Sequence, residues 1–367
     1  IVIQRDHNDL VAGSFGRSIF ILDDYTPLRE INKETLNKNA HLFQTRDAFW
    51  YTENSVVGSE GHQMYKAENP PFGAVFTYYL KDGFKSKKAE RKAREKKLDE
   101  GEDVPFPGWD ELDAEKREEG PTVYLTIEDE DGNIINRVNA PTSKGLHRVN
   151  WELDYASKNV VPLDQAPGGG FFGGGFMVSP GTYTATLKVL EEGVVNELSE
   201  PVSFDVVPLH EPAIEGPSFE ERDAFMDEVI AFQQDLTKIN NLLDKQIDKI
   251  NALQTALNRA EEQDHELVTR LNNTRLDLLD IREQMEGSEA KNEIGERNPP
   301  SPSSRMFTGF FALRGTYGPT PLHKRTIEAG KSELSEIQQD LNRIANSMMP
   351  SLERAVESAG APPIQEN

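Results

Sequence analysis

The sequence predicts a multidomain protein of β and α type, in which β domains precede an α-helical domain. Short segments with alternating apolar residues recur up to about residue 207, and this is the period of half-buried strands. After Pro217 the apolar residues recur at alternating steps of four and three, which is the period of amphipathic helices. A length of 367 residues allows two or three domains, each with its own core.

The composition excludes several classes of partner and chemistry. The chain has 63 acidic and 40 basic residues and a formal net charge of -23, so nucleic acid and anionic lipid are poor partners. No apolar run approaches the roughly 20 residues that a membrane helix needs, and we expect no membrane span. The absence of cysteine excludes disulfides and thiol catalysis.

The first segment has the pattern of two strands around a turn that contains glycine, Asp9–Ala12 and Ser18–Asp23. A lone hairpin is only marginally stable in water, so we expect residues 1–25 to belong to a larger sheet supplied by residues before Ile1. Residues 26–68 have a mixed pattern with scattered aromatic side chains, which indicates a packed linker.

Residues 69–208 have the pattern of a β-sandwich, because short strands follow one another at regular spacing. A charged insert at 81–120 interrupts them, and its lysine-rich and acidic composition predicts a solvated, partly helical excursion. The strands are expected at Phe72–Leu80, Val123–Ile127, Ile134–Val138, Val149–Leu153, Tyr183–Val189 and Val202–Val207.

The remaining chain is predicted to be helical. After a linker at 209–217, Ser218 and Glu221 have the spacing of a capping box, and three apolar series separated by breaks extend over 218–350. These series predict an antiparallel three-helix bundle or coiled coil. The helices are expected to pair either within one chain or between two copies of the chain. Residues 351–367 are expected to form a flexible tail.

Several stretches carry a resemblance to a known family. Asn8–Asp24 is similar to the closing strands of the β-propeller in bacterial exported proteins with BNR or sortilin-like (VPS10-type) repeats, often labelled glycosyl hydrolases. Other stretches resemble the linker, the FlgD-like immunoglobulin (Ig) domain and the helical tail of those proteins: Asn69–Ala74, Val104–Pro107, Trp109–Leu112, Ile127–Asn133, Gly145–Trp151, Pro180–Tyr183 and Tyr317–Thr320.

The resemblance implies that residues 1–25 close a β-propeller, that the sandwich is an Ig-like β-sandwich, and that the protein is exported to the periplasm or beyond. It also implies an upstream β-propeller of the same protein as a partner, with a protein or glycan ligand. The sequence has neither an Asp-box nor the clustered arginines of sialidases, so no catalytic residue is carried over. The resemblance therefore implies a non-catalytic scaffold and interaction region. The alternatives are an accessory part of a glycoside hydrolase whose active site lies in the propeller, or of a peptide-binding propeller.

The candidate binding residues are aromatic. Phe171, Phe172 and Phe176 lie in a glycine-rich loop and can cap a neighbouring surface or a ligand, although burial is the more common role of such side chains. Trp50 and Trp109 are candidates for stacking on sugars, with core packing as the default for any tryptophan.

Other motifs predict no chemistry. Gly168, Gly170 and Gly173 match a dinucleotide fingerprint only in spacing, because no strand precedes them and no helix follows. Asp129–Asn133 has the composition of a hairpin turn more than of a calcium loop. The seven histidines are scattered. We therefore expect no catalytic residue, metal or cofactor within this chain.

Overall fold

The structure is a computed structural model that describes residues 1–5, 7–16, 18–53, 69–98, 103–161, 174–211, 213–260 and 264–364. The fold is mixed, with several β-sheets followed by a long helical region, as the sequence predicts. The chain divides into two compact units. The first comprises Ile1–Ala156 and Gly174–Glu211, and the second comprises Ser157–Gly173 and Pro212–Asn367.

The described residues of the first unit form three sheets and four short helices. Its strands are β1 (Val2–Gln4), β2 (Asp9–Ser14), β3 (Ser18–Leu22), β4 (Ala40–Leu42), β5 (Ala48–Trp50), β6 (Ala74–Leu80), β7 (Thr122–Glu128), β8 (Ile134–Ala140), β9 (Gly145–Trp151), β10 (Gly181–Glu191), β11 (Val194–Glu197) and β12 (Val202–Pro208). Its helices are α1 (Thr26–Glu30), α2 (Lys33–Asn37), α3 (Lys87–Glu95) and α4 (Trp109–Arg117).

Two of the sheets enclose one apolar core. One sheet has the order β5-β12-β10-β7-β8, with β11 paired to β10, and the other has the order β4-β6-β9. Alternate residues of β6, Ala74 to Leu80, are buried, and Val123, Leu125 and Ile127 of β7 belong to the same core. The two sheets are therefore held together by side chains that alternate along each strand.

The stretch that is predicted to be a packed linker, 26–68, contributes strands to both of these sheets. β4 pairs antiparallel with β6, and β5 pairs parallel with β12. Ala40, Leu42, Ala48 and Trp50 are buried in the shared core. Residues 40–50 therefore differ from a linker, because their apolar side chains complete the sheet edges.

The charged insert forms a two-helix arm, α3 and α4, in which no residue of either helix is buried. Ser86 begins α3 by accepting a hydrogen bond from the Ala89 N–H at 3.3 Å. Gly108, at φ 94°, precedes α4. The described residues of the predicted excursion thus include two helices without a buried residue.

The second unit is helical in the part that the structure describes. Its helices are α5 (Phe219–Leu257), α6 (His265–Glu286), α7 (Glu289–Glu293), α8 (Pro302–Arg314), α9 (Pro321–Arg343) and α10 (Met349–Ser358), with a π-helical turn (Ile344–Met348) between α9 and α10. Ser218 caps α5 by accepting a hydrogen bond from the Glu221 N–H at 3.2 Å. Most apolar side chains of the three predicted series are buried, including Phe225, Leu278 and Leu341, whereas Ile247 and Met348 are half-buried.

Three described helices of this unit, α7, α8 and α10, lie outside the apolar series that the sequence predicts. α8 begins within the proline- and serine-rich break at 299–304, and its Met306 and Leu313 are buried. α10 forms where a flexible tail is expected from residue 351, because Leu352 and Val356, one turn apart, are both buried.

Of the helices in the described part of the chain, none is both long enough and apolar enough to cross a membrane.

Candidate interaction surfaces

The sheet formed by β1, β2 and β3 exposes apolar side chains on both of its faces. Register places Leu22 beside Leu10 and Leu10 beside Ile3, so these three side chains share one face. Ile21, Val11 and Val2 share the other face in the same way. In β3 the exposed fraction is 68% for Ile19, 61% for Phe20 and 59% for Ile21. A sheet that is apolar on both faces has no side that is suited to water.

The sheet is fixed to the rest of the first unit by polar contacts at its end. Arg148 of β9 donates from Nη1 to the Asp23 carbonyl at 2.8 Å and from Nη2 to the Asp24 carbonyl at 2.5 Å. The Asp9 carboxylate accepts from the Asp24 N–H at 2.9 Å, and the Tyr25 N–H donates to the Asn8 carbonyl at 2.8 Å. These bonds place the apolar sheet at a defined position within the unit.

The charged arm is held together by ion pairs between α3 and α4. Arg91 donates from Nε to Glu115 Oε1 at 2.5 Å and from Nη2 to Glu115 Oε2 at 3.0 Å, which is a bidentate pair. Arg91 also contacts Glu95 at 2.5 Å, and Arg94 pairs with Glu111. The hydrogen bonds from Arg91 hold the pKa of the Glu115 carboxyl below its usual range.

The contacts of the arm define its base and its tip. At the base, the Lys87 N–H donates to Glu118 at 2.8 Å, and the Lys87 ammonium pairs at 2.8 Å with Glu192, beside the turn between β10 and β11. The pairs then run forward along α3 and backward along α4, so the two helices are antiparallel. The end of α3 and the start of α4 therefore form the tip.

Two aromatic rings lie exposed at this tip. Trp109 is 75% exposed and Phe106 is 62% exposed. Their ring centroids are 5.1 Å apart with an interplanar angle of 68°. In an edge-to-face contact of this kind, neither ring covers both faces of the other.

The other two tryptophans, Trp50 and Trp151, are in the core. Trp50 is 5% exposed, and its indole N–H donates to the Val178 carbonyl at 2.7 Å. Trp151 is 1% exposed and donates to the Asp154 carbonyl at 2.8 Å. Phe176 is buried at 8% exposure. Phe171 and Phe172 lie outside the described residues, so Trp109 is the accessible candidate among those whose positions are described.

A cleft of 640 Å³ lies beside β4, and its lining includes Glu30, His41, Glu197 and Glu200. His41 Nε2 is 3.6 Å from the Glu30 carboxylate, which also accepts from the Gln44 N–H at 3.3 Å. Glu197 pairs with Lys188 at 3.0 Å. Two of its three glutamates thus already have partners within the protein.

The acidic turn after β7 is organised by its own hydrogen bonds. Asp129 Oδ1 accepts from the Asp131 and Asn133 N–H groups at 3.0 and 2.8 Å, and Oδ2 accepts from the Asn133 amide at 3.0 Å. This carboxylate therefore acts in the turn, as the hairpin interpretation predicts. Over the described ranges, no three His, Asp or Glu side chains converge in a way that would hold a metal ion.

The sequence predicts a partly helical excursion at 81–120 but does not predict that its two helices pair with each other. The signal was present as two complementary blocks, because basic residues dominate 85–97 and acidic residues dominate 110–119. Such blocks pair when a turn brings them side by side.

Comparison of the chain with protein-family models, with curated proteins and with solved structures finds no match.

Proposed function

We propose that this chain is the non-catalytic scaffold and interaction region of an exported protein that resembles the BNR and sortilin-like propeller proteins. In this proposal β1, β2 and β3 are the closing strands of a β-propeller, and the two sheets around the common core are a FlgD-like Ig domain. The helical unit is an antiparallel bundle that contributes a further contact surface.

The observation that carries the proposal is that the sheet of β1, β2 and β3 has apolar side chains on both of its faces. In a β-propeller each blade packs against a neighbouring blade on both sides, so the side chains on both faces of its strands are apolar. An isolated sheet in water would have one polar face. The side chains of Ile3 and Leu22 on one face, and of Val2 and Ile21 on the other, fit a sheet that lies between two others.

The edge of this sheet supports the same proposal. β3 forms one edge, is five residues long, and contains neither lysine nor proline. Soluble proteins protect such edges with charges, prolines or a covering strand. A further strand beside β3 and blades on both faces would remove the exposed edge together with the exposed side chains.

Hydroxyl-radical footprinting tests this proposal on two forms of the protein, the chain itself and the natural protein with the residues that precede Ile1. Phe20 and Ile21 should react readily in the chain and should be protected in the longer protein. Ile294 of the helical unit, which is 80% exposed, is the internal reference and should not change.

Equal reactivity of Phe20 and Ile21 in the two proteins would contradict the proposal. An upstream sequence without strand-period segments would contradict it as well. The non-catalytic assignment has a separate test, because measurable turnover of any glycoside by the chain alone would contradict it.

A further inference from the structure

The helix α8 is apolar on its outward face as well as on its inward face. Met306 and Leu313 are buried, whereas Phe307 and Phe311 are 37% and 56% exposed. The two exposed rings lie one turn apart and stack, with centroids 6.5 Å apart and an interplanar angle of 25°. A helix at a protein surface normally presents polar residues to water, so this outward face has the character of a contact site. It is separate from the sheet on which the proposed function rests.

The charge around α8 is unlike that of the rest of the chain. Residues 297–327 contain five arginine and lysine residues and no aspartate or glutamate, although the whole chain has 63 acidic residues and a net charge of -23. Two copies of so acidic a chain repel each other over most of their surfaces. A face built on this stretch allows two copies to approach without placing carboxylates against carboxylates.

The two cations of α8 leave the outward face close to neutral. Arg305 forms a bidentate pair with Glu333 of α9, at 2.9 and 2.8 Å. Arg314 lies over the Phe310 ring, with its guanidinium carbon 5.7 Å from the ring centroid. An apolar face with one cation at its end is better matched by a face of the same kind than by a strongly acidic or strongly basic partner.

The outward residues of α8 are spaced symmetrically. Ser304, Phe307, Phe311 and Arg314 are all exposed and follow one another at steps of three, four and three, which is the spacing of a helical seam. These steps are the same in both directions from the level of Gly309. When two copies of α8 pack antiparallel about a two-fold axis at that level, Phe307 of each copy faces Phe311 of the other, and Arg314 faces Ser304. The four rings then cover one another, and the two arginines stay apart.

From these observations we propose that the chain forms a two-fold symmetric dimer in which the outward faces of two α8 helices pack antiparallel. Two-fold dimers are the commonest oligomers, and a single self-complementary face is enough to close one. The predicted helical series do not supply this contact, because α5 already packs against α6 and α9 within one chain. Four rings make a smaller apolar centre than that of a permanent dimer, so the association is reversible.

Sedimentation equilibrium of the intact chain tests the dimer. The wild type should pass from monomer to dimer as its concentration rises to about 200 μM. Phe311→Asp should raise the dimer dissociation constant by about tenfold or more, because it places a carboxylate among the four rings. Phe20→Asp, which changes an exposed ring of β3, is the matched control and should leave the constant unchanged.

Two results of this experiment would overturn the proposal. One is a wild-type chain that stays monomeric over the whole concentration range. The other is a dimer that Phe311→Asp leaves intact, because the contact would then lie elsewhere, and loss of that dimer in Phe20→Asp would assign it to the sheet of β1, β2 and β3. Phe311 is 56% exposed, so its variant should keep the circular dichroism of the wild type.

Cysteine cross-linking tests the register, and the chain has no cysteine of its own to interfere. A mixture of Ser304→Cys and Arg314→Cys chains should form a mixed disulfide on oxidation, because the two positions face each other across the axis. Either variant alone should form far less, because its two cysteines lie at opposite ends of the interface. A mixed disulfide no more abundant than random pairing gives would contradict the antiparallel arrangement.

Discussion

Gly73 precedes β6 at φ 93°, and a Cβ atom at this position would lie 1.9 Å from the Trp151 carbonyl oxygen. Gly132, in the turn after β7, has φ 80° with nothing within 4 Å of the same atom. The two glycines thus share a left-handed backbone conformation and differ in their surroundings. Glycine is required at Gly73 for two reasons and at Gly132 for one.

We predict that Gly73→Ala lowers the free energy of unfolding of the first unit by roughly 3 kcal/mol or more. The left-handed conformation costs about 1–2 kcal/mol for any other residue, and forced contact in a packed region adds about 1–3 kcal/mol. Gly132→Ala should lose only the first of these amounts. Urea unfolding followed by tryptophan emission measures the difference, because Trp50, Trp109 and Trp151 all lie in the first unit. Equal losses in the two variants would contradict the role of the Trp151 carbonyl.

The three tryptophans show what sequence can predict about single residues. Trp50 and Trp151 end strands, and both are buried with their indole N–H groups bonded to backbone carbonyls. Trp109 begins a helix of a charged arm, where no core is close. The sequence alone does not separate Trp50 from Trp109, because burial depends on which strands pair, and pairing between distant segments leaves no local signal.

At the scale of elements, the strands with clear alternation are present close to their predicted positions. The segment predicted at Phe72–Leu80 is β6, Ala74–Leu80, and the segment predicted at Val123–Ile127 is β7, Thr122–Glu128. β4 and β5 were missed because each is three residues long, which is too short to display a period. β5 also pairs parallel with β12, about 160 residues away in sequence, as in the pairing of Ala48 with Val206.

α8 was missed because its first residues resemble a break in a helical pattern. Ser301 caps the helix, Pro302 is its first residue, and the Ser304 hydroxyl accepts from the Ser301 N–H at 2.8 Å. Proline at this position is favourable because its missing N–H has no partner in a helix anyway. Close packing follows inside the helix, since a Cβ on Gly309 would meet Ile327 Cδ1 at 2.6 Å.

The arm gives a prediction at the same scale, because its helices bury no residue and depend on ion pairs. Arg91→Met should free α4 from α3 and speed amide hydrogen exchange in Trp109–Arg117, with no change in β7 or β10. Lys92→Met, which removes the same charge from an exposed position of α3, is the matched control and should have little effect. Unchanged exchange in the Arg91 variant would contradict the pairing.

The same pairs predict how the arm responds to pH. The hydrogen bonds from Arg91 lower the pKa of Glu115 below its ordinary value of 4.5, so the folded arm favours the ionised carboxylate. The contribution of the pair is therefore present above pH 4.5 and is lost as the pH falls through the lowered pKa. Wild-type exchange in α4, corrected for its intrinsic pH dependence, should approach that of Arg91→Met only in acid.

At the scale of the whole molecule, the sequence predicts a β region followed by a helical region because the apolar period changes once, near Pro217. The structure confirms this general division, with β12 ending at Pro208 and α5 beginning at Phe219. The order of elements along the sequence does not predict the full composition of the two compact units. Ser157–Gly173 belongs to the helical unit, although it lies between two segments of the first unit. The Lys158 carbonyl accepts from the Gln234 amide of α5 at 2.5 Å, and a single contact of this kind has no periodic signature.

Each unit has its own core, and this predicts two separable unfolding transitions. Leu125 of β7 and Leu278 of α6 are both fully buried, and truncation of either to alanine should cost about 2–5 kcal/mol in its own unit. Tryptophan emission reports the first unit, and far-UV circular dichroism is dominated by the helices of the second. Leu125→Ala should therefore lower the urea midpoint seen by emission with little change in the helical transition, and Leu278→Ala should do the reverse. If either variant moves both transitions equally, the two units unfold as one cooperative body, and the division into independent cores is wrong.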